Sequence, residues 1–206
     1  MSFEYILFCL IAYLLGSIPS SVWIGKSFHQ IDVREHGSNN AGATNTFRVL
    51  GKKAGIIVLM LDIIKGVLAV LIVDLFVQSD EYYFVLLKLS CGILAVIGHI
   101  FPVFARFNGG KGVATSFGIL IGIFPLAALI TCFVFLISFL ISRYVSLGAL
   151  ISAFTFPFTV IFVLKYDNTI LMIFSILLSL TVIITHHKNI RRLLNGTENK
   201  MNFFKK

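Results

Sequence analysis

Two short stretches hold the side chains that could do chemistry. The first is Gly37-Ser38-Asn39-Asn40-Ala41-Gly42-Ala43-Thr44-Asn45-Thr46-Phe47-Arg48, small and polar in an otherwise greasy chain. Such small residues let a backbone approach a ligand and aim N–H groups at it. Ser, Asn and Thr add donors, and Arg48 adds a planar fork that matches phosphate. The second stretch, Asn108-Gly109-Gly110-Lys111-Gly112-Val113-Ala114-Thr115, sets a lysine among glycines. Two Gly-rich, cation-bearing loops point to a site for phosphorylated substrates. Lys111 is not a Walker lysine, because Gly112 stands where a Ser or Thr would hold magnesium. No dense Asp/Glu array is present for a divalent metal. The expected site neutralises phosphate with Arg, Lys and backbone donors alone, without metal or cofactor.

The elements that must position these loops are membrane helices. Of the 206 residues, 58% are hydrophobic, and mean hydropathy is +0.96. Several runs reach the roughly 20 residues that a helix needs to cross a hydrocarbon core of about 30 Å. The reading is an all-α integral membrane protein forming a single domain over 1–206. Seven transmembrane helices are expected, at about 3–25, 54–77, 82–104, 113–124, 126–142, 146–164 and 169–185. The net charge of +8 sits in short segments between spans, where the positive-inside rule predicts it, and does not call for nucleic acid. Cys9, Cys91 and Cys132 fall in apolar runs without metal or disulfide spacing. No basic n-region precedes the first apolar stretch, so a retained first span is expected.

Charge decides the region from Gly112 to Ser142, which is long for one span and short for two. With two passes, one side holds every Lys and Arg except Lys65, Lys88 and Lys165. That places the N-terminus outside, the C-terminus in the cytoplasm and both loops at the cytoplasmic face. Pro125, after Gly118 and Gly122, is where one short helix hands over to the next. In the first span, Pro19 within Gly16-Ser17-Ile18-Pro19-Ser20-Ser21 predicts a kink whose freed carbonyls the three hydroxyls satisfy, or else a direct role in the site. Asp62 and Lys65, at i and i+3, share a helix face and are expected to pair, with catalysis as the alternative. His99, before Ile100-Phe101-Pro102, is expected to pack or to break the helix. The basic and apolar residues after His186 suit a short helix lying at the inner interface. The connection Gln78-Ser79-Asp80-Glu81 is acidic. Ser38 to Arg48, Lys111, Ser146, and His186 with Asn189 are expected to converge at one bundle mouth.

The segments Gly37 to Asn45, Gly109 to Thr115 and His186-His187-Lys188-Asn189-Ile190-Arg191-Arg192-Leu193 resemble the bacterial PlsY family. These are the membrane acyl-phosphate:glycerol-3-phosphate acyltransferases of phospholipid synthesis. The likeness runs over almost the whole chain and includes Gly16 to Ser20, Asp62 to Gly66, His99 to Phe104 and Val145 to Gly148. It implies a seven-spanning enzyme of the bacterial plasma membrane with its site at the cytoplasmic face. Ser38, Arg48 and Lys111 match positions lining the phosphate pocket, and Ser146, His186 and Asn189 match positions close to it. On this resemblance Ser38, Arg48, Lys111, His186 and Asn189 are the expected catalytic residues. Asn39, Asn40, Gly42, Ala43, Thr44, Asn45, Gly109, Gly110, Gly112 and Ser146 are the expected substrate-binding residues. The chain departs from the usual motif where Asn39 replaces a Gly, Ala41 a Pro, and His187 an Arg.

The implied partners are glycerol-3-phosphate, a fatty acyl phosphate and membrane lipids, and the implied product is 1-acyl-glycerol-3-phosphate. No histidine has an Asp five positions later, so the His-x4-Asp base of other glycerolipid acyltransferases is excluded. His186 is read as a phosphate donor or orienter ahead of a general base. The alternative from another class is a small anion or lipid-phosphate transporter, favoured by broken spans and intramembrane charge. Against it, the polar clusters share one face and trace no midplane path. A metal-dependent lipid-headgroup phosphotransferase lacks its spaced Asp residues.

Overall fold

The structure, a computed structural model, describes residues 3–76 and 81–201. The acidic connection expected at 78–81 and both chain ends lie largely outside those residues. Every regular element among the described residues is helical. The chain divides into two compact units, one ending at Phe124 and the other beginning at Pro125.

In the first unit, α1 (Phe3–Gly16) and α2 (Ser20–His29) form one apolar run bent by 41°. A 3-10 turn (Val33–Glu35) leads to α3 (Ala43–Leu50), then α4 (Lys52–Phe76), α5 (Glu81–Ile100), a second 3-10 turn (Val103–Ala105) and α6 (Val113–Ile123). The central element is α4, which packs on α1, α3, α5 and α6. Where α4 crosses α6 the backbones all but touch: a Cβ on Gly66 would collide with the Thr115 carbonyl, and one on Gly118 with that of Ile63. Only glycine permits this approach.

The break between α1 and α2 differs from the sequence reading. The hydroxyls of the Gly16 to Ser21 segment do not satisfy the freed carbonyls. Instead Lys65 Nζ, from α4, donates to the Ile18 carbonyl at 2.8 Å. Ser20 Oγ donates to Asp62 at 3.0 Å and Ser21 Oγ to the Ala41 carbonyl at 2.8 Å. Ser17 Oγ has no partner among the described residues. An ammonium is the stronger donor, and Asp62 already holds it in place. The expected Asp62–Lys65 pair is present at 2.9 Å and fully buried.

In the second unit, α7 (Pro125–Ser142), α8 (Val145–Phe158), a π-helical segment (Thr159–Val163), α9 (Thr169–Thr185) and α10 (His187–Leu194) follow in order. α8 packs on α7 and α9. Pro157 lies inside α8 and cannot donate to the carbonyl four residues back. Ser179 Oγ of α9 takes up that Ala153 carbonyl at 2.6 Å, and the helix widens into its π turn just beyond. α9 and α10 meet at 60°.

Among the described residues, four stretches are long and apolar enough to cross a membrane by themselves: Lys52–Leu75, Tyr82–Ala105, Pro125–Ser142 and Val145–Val163. The bent pairs α1–α2 and α9–α10 also qualify if each is one span. The expected span at 113–124 corresponds to α6, whose 11 residues reach about 16 Å, half the hydrocarbon thickness.

Candidate active site

The first loop is built around one buried side chain. Asn45, 1% exposed, accepts the Ser38 N–H at 2.8 Å through Oδ1 and donates through Nδ2 to the carbonyls of Val33 (2.7 Å) and His36 (3.0 Å). Its hydrogen-bonding capacity is thus directed into the loop, and it shapes the turn that presents Ser38. Thr46 Oγ1 donates to the Gly42 carbonyl at 3.1 Å, which also receives the first turn of α3. Asn39 sits at φ 55°, a left-handed conformation that Asn tolerates nearly as Gly does. The replacement of the family's usual glycine therefore fits the loop. Its Nδ2 donates to the Arg34 carbonyl at 3.0 Å. Arg48, in the last turn of α3, is exposed, and no side chain caps the start of that helix.

An ionic cluster precedes Ser38 in the chain. Asp32 caps the 3-10 turn and takes Arg34 through both carboxylate oxygens, Nε at 2.9 Å and Nη2 at 2.7 Å. Lys26 reaches the same carboxylate at 3.2 Å. Hydrogen bonds from Arg34 hold the Asp32 carboxyl well below the usual carboxylate range, and Asp32 raises Arg34 in turn.

The second loop folds back on the end of α5. Gly109 N–H donates to the Ile100 carbonyl and Gly110 N–H to that of His99, at 3.2 and 3.1 Å. A Cβ on Gly110 would strike the His99 imidazole, so this close approach is to α5. Gly112 adopts φ 83° and caps α6, which leaves Lys111 half-buried between the two. His99 is buried, with Nδ1 3.8 Å from Asp62 Oδ1, beyond hydrogen-bond reach. Its packing role is as expected.

In the second unit the site residues gather on a side chain that sequence reasoning missed. Glu198 Oε1 accepts Ser146 Oγ at 2.9 Å and Asn189 Nδ2 at 2.8 Å, and Oε2 accepts Arg192 Nε at 2.6 Å. Partial burial pushes the Glu198 carboxyl up, but Arg192, Asn189 and Ser146 together bring it below its ordinary value. The signal was present, since Glu198 is the one acid after His186 in a basic tail. The tail is fixed further by Met201 N–H on the Arg143 carbonyl (2.9 Å) and by Lys200 over the Tyr144 ring. His186, 3% exposed, places Nδ1 2.7 Å from the Val182 carbonyl. A carbonyl can only accept, so Nδ1 carries the proton. In the neutral ring Nε2 is then an acceptor.

Comparison with known proteins decides the family. The family model described as glycerol-3-phosphate acyltransferase matches residues 6–196. The chain belongs to the glycerol-3-phosphate acyltransferase family. It is 45% identical to the glycerol-3-phosphate acyltransferase of Enterococcus faecalis, over 97% of this chain and 93% of that one. Its identity to the Listeria monocytogenes enzyme of that name is also 45%, over 98% of both chains. Among solved structures it is similar to PlsY, an integral membrane glycerol 3-phosphate acyltransferase. The glycerol 3-phosphate form superposes with a TM-score of 0.88 at 37% identity, covering 97% of this chain and 96% of that one. The lysophosphatidic acid form gives 0.84 at 35% identity with the same coverage. The likeness bears out the family resemblance seen in the motifs and the all-helical, membrane-embedded architecture.

Proposed function

We propose that this protein transfers a fatty acyl group from an acyl phosphate to the 1-hydroxyl of glycerol-3-phosphate. The products are 1-acyl-glycerol-3-phosphate and inorganic phosphate, as in the first acylation of bacterial phospholipid synthesis. The carrying observation is the near full-length likeness to PlsY, crystallised in both a glycerol 3-phosphate and a lysophosphatidic acid form. Residues 1–206 act as one seven-span transmembrane domain of the bacterial plasma membrane, with the N-terminus outside and the C-terminus and both glycine loops at the cytoplasmic face. The distribution of Lys and Arg supports that orientation.

An acyl phosphate is a mixed anhydride and arrives activated, so no enzyme nucleophile or coenzyme is needed. The glycerol-3-phosphate hydroxyl attacks the acyl carbon, the C–O bond to phosphate breaks, and a substrate phosphate oxygen takes the hydroxyl proton. Arg48 and Lys111 stabilise charge on phosphate, with donors from Ser38 and its loop, Asn39 to Thr44. Preorganised donors and cations of this kind often lower a barrier more than any other device an enzyme has. Asn45 serves by shaping that loop. Gly109, Gly110 and Gly112 let Lys111 emerge close to the substrate. Ser146, His186 and Asn189 bind and orient substrate, with Glu198 setting Ser146 and Asn189. Because Nδ1 of His186 faces a carbonyl, donation to phosphate through Nε2 requires the imidazolium.

The test is phosphate release by the purified protein in lipid, with palmitoyl phosphate, glycerol-3-phosphate and chelator. Release that needs both substrates, survives chelation and is lost in Lys111→Ala is the expected result. Activity from acyl-CoA but not from acyl phosphate would overturn the donor assignment.

A further inference from the structure

We infer that Arg34 is a positioning residue that locks the segment carrying Lys111 to the segment carrying Ser38. Arg34 belongs to neither glycine motif. Two of its three nitrogens are committed to Asp32, Nε at 2.9 Å and Nη2 at 2.7 Å. The third, Nη1, crosses to the other loop. It donates to the Ala105 carbonyl at 2.8 Å and approaches that of Asn108 at 3.5 Å. Those carbonyls belong to the turn that runs directly into Gly109 and Lys111. On its own side, the Arg34 carbonyl receives Asn39 Nδ2 at 3.0 Å, next to Ser38.

A guanidinium is a rigid planar fork. With Asp32 fixing two of its nitrogens, the third has little freedom, and a shift of either loop must break a charge-assisted hydrogen bond. Lysine could not replace it, because a single ammonium does not span both carboxylate oxygens and a carbonyl in a second loop. Lys26, also on Asp32 but exposed, is on the outer side of the cluster. Backbone bonds of Asn108, Gly109 and Gly110 to Ala105, Ile100 and His99 tie the second loop to the end of α5 and its own turn. Arg34 adds a tie from the first loop to the second. The lock therefore fixes the register between two groups that the proposed function assigns to phosphate. Only that assignment rests on the acyltransferase reading; the lock itself does not.

Two measurements on the full chain in lipid nanodiscs test it. Hydrogen exchange followed by mass spectrometry should show faster exchange over 103–112 and 33–42 in Arg34→Gln, with 54–75 unchanged. In the acyl-transfer assay, Arg34→Gln should raise KM for glycerol-3-phosphate about tenfold or more. Arg34→Lys should fail to restore either property. Asp32→Asn should reproduce the exchange change if Arg34→Gln does not fold. Unchanged exchange over 103–112, or an unchanged KM in Arg34→Gln, overturns the inference. An inactive wild-type protein would instead overturn the acyltransferase reading, while exchange still decides whether the loops are locked.

Discussion

The amide of Ser38 and the side chain of Asn45, seven residues apart, are joined at 2.8 Å by a hydrogen bond that closes the first glycine loop. The same side chain donates to two further carbonyls. Asn45→Ala would strand all three groups, each worth about 1 kcal/mol or more when buried. Asn45→Asp would also set a carboxylate against the Val33 and His36 carbonyls. Both variants should lose activity by roughly a hundredfold, as expected when a catalytic group is displaced by about 1 Å. Steady-state kinetics check this, and near-wild-type activity in Asn45→Ala would show that the loop holds its shape without it.

Gly110 faces the His99 ring so closely that no Cβ fits. Gly110→Ala must therefore push Lys111 outward or His99 inward, and transfer activity should fall at least about tenfold. His99→Ala empties the contested space. The double variant should recover part of the activity lost in Gly110→Ala, a coupling that a double-mutant cycle measures directly.

The Asp62–Lys65 pair is buried, and Lys65 also satisfies the Ile18 carbonyl at the helix break. Removing one member leaves an uncompensated charge, a loss of about 3–5 kcal/mol. Lys65→Met and Asp62→Asn should each lower thermal stability markedly. The combined variant should be well above the stability that adding the two losses would give. Additive losses in a denaturation series would mean that the residues do not depend on each other.

The depressed carboxyls of Asp32 and Glu198 fix the direction of the pH response. A carboxylate whose folded value lies below its unfolded value contributes stability that is fully present above the unfolded value. That stability is lost as pH falls through the folded one. The unfolded reference is 3.8 for Asp32 and 4.5 for Glu198. Thermal stability should therefore be insensitive to these groups at neutral pH and decline below about pH 4.5. Glu198→Gln should flatten the upper part of that decline. Melting temperatures between pH 3 and 7 read it out.

Much of the candidate site was legible because its residues are local. Small polar residues around Arg48, glycines around Lys111, and the i, i+3 spacing of Asp62 and Lys65 all act within one loop or one helical turn. Relationships across the chain were not legible. Glu198 gathers Ser146 across 52 residues, and Arg34 spans 71 to reach the Ala105 carbonyl. A backbone carbonyl carries no side-chain signature, so nothing in the sequence marks Ala105 as an acceptor. The helix break was visible from Pro19, but not its repair by Lys65, since that depends on how α4 is rotated. The apolarity of 113–123 was equally plain. What hydropathy could not show is the backbone contact through Gly66 and Gly118 that holds this short helix of 11 residues against α4.

That shortness has a consequence at the crossing of Gly66 with the Thr115 carbonyl and of Gly118 with that of Ile63. A long helix responds to a thicker or thinner bilayer by tilting, because its apolar length must match the lipid around it. α6 has too little apolar length to be governed that way, and its height is set by backbone contact with α4. Lys111, two residues before α6, inherits that reference. When the acyl chains of the surrounding lipid lengthen or shorten, α4 and α6 should move as one piece. The lysine then keeps its height relative to α4, whatever the thickness of the surrounding membrane.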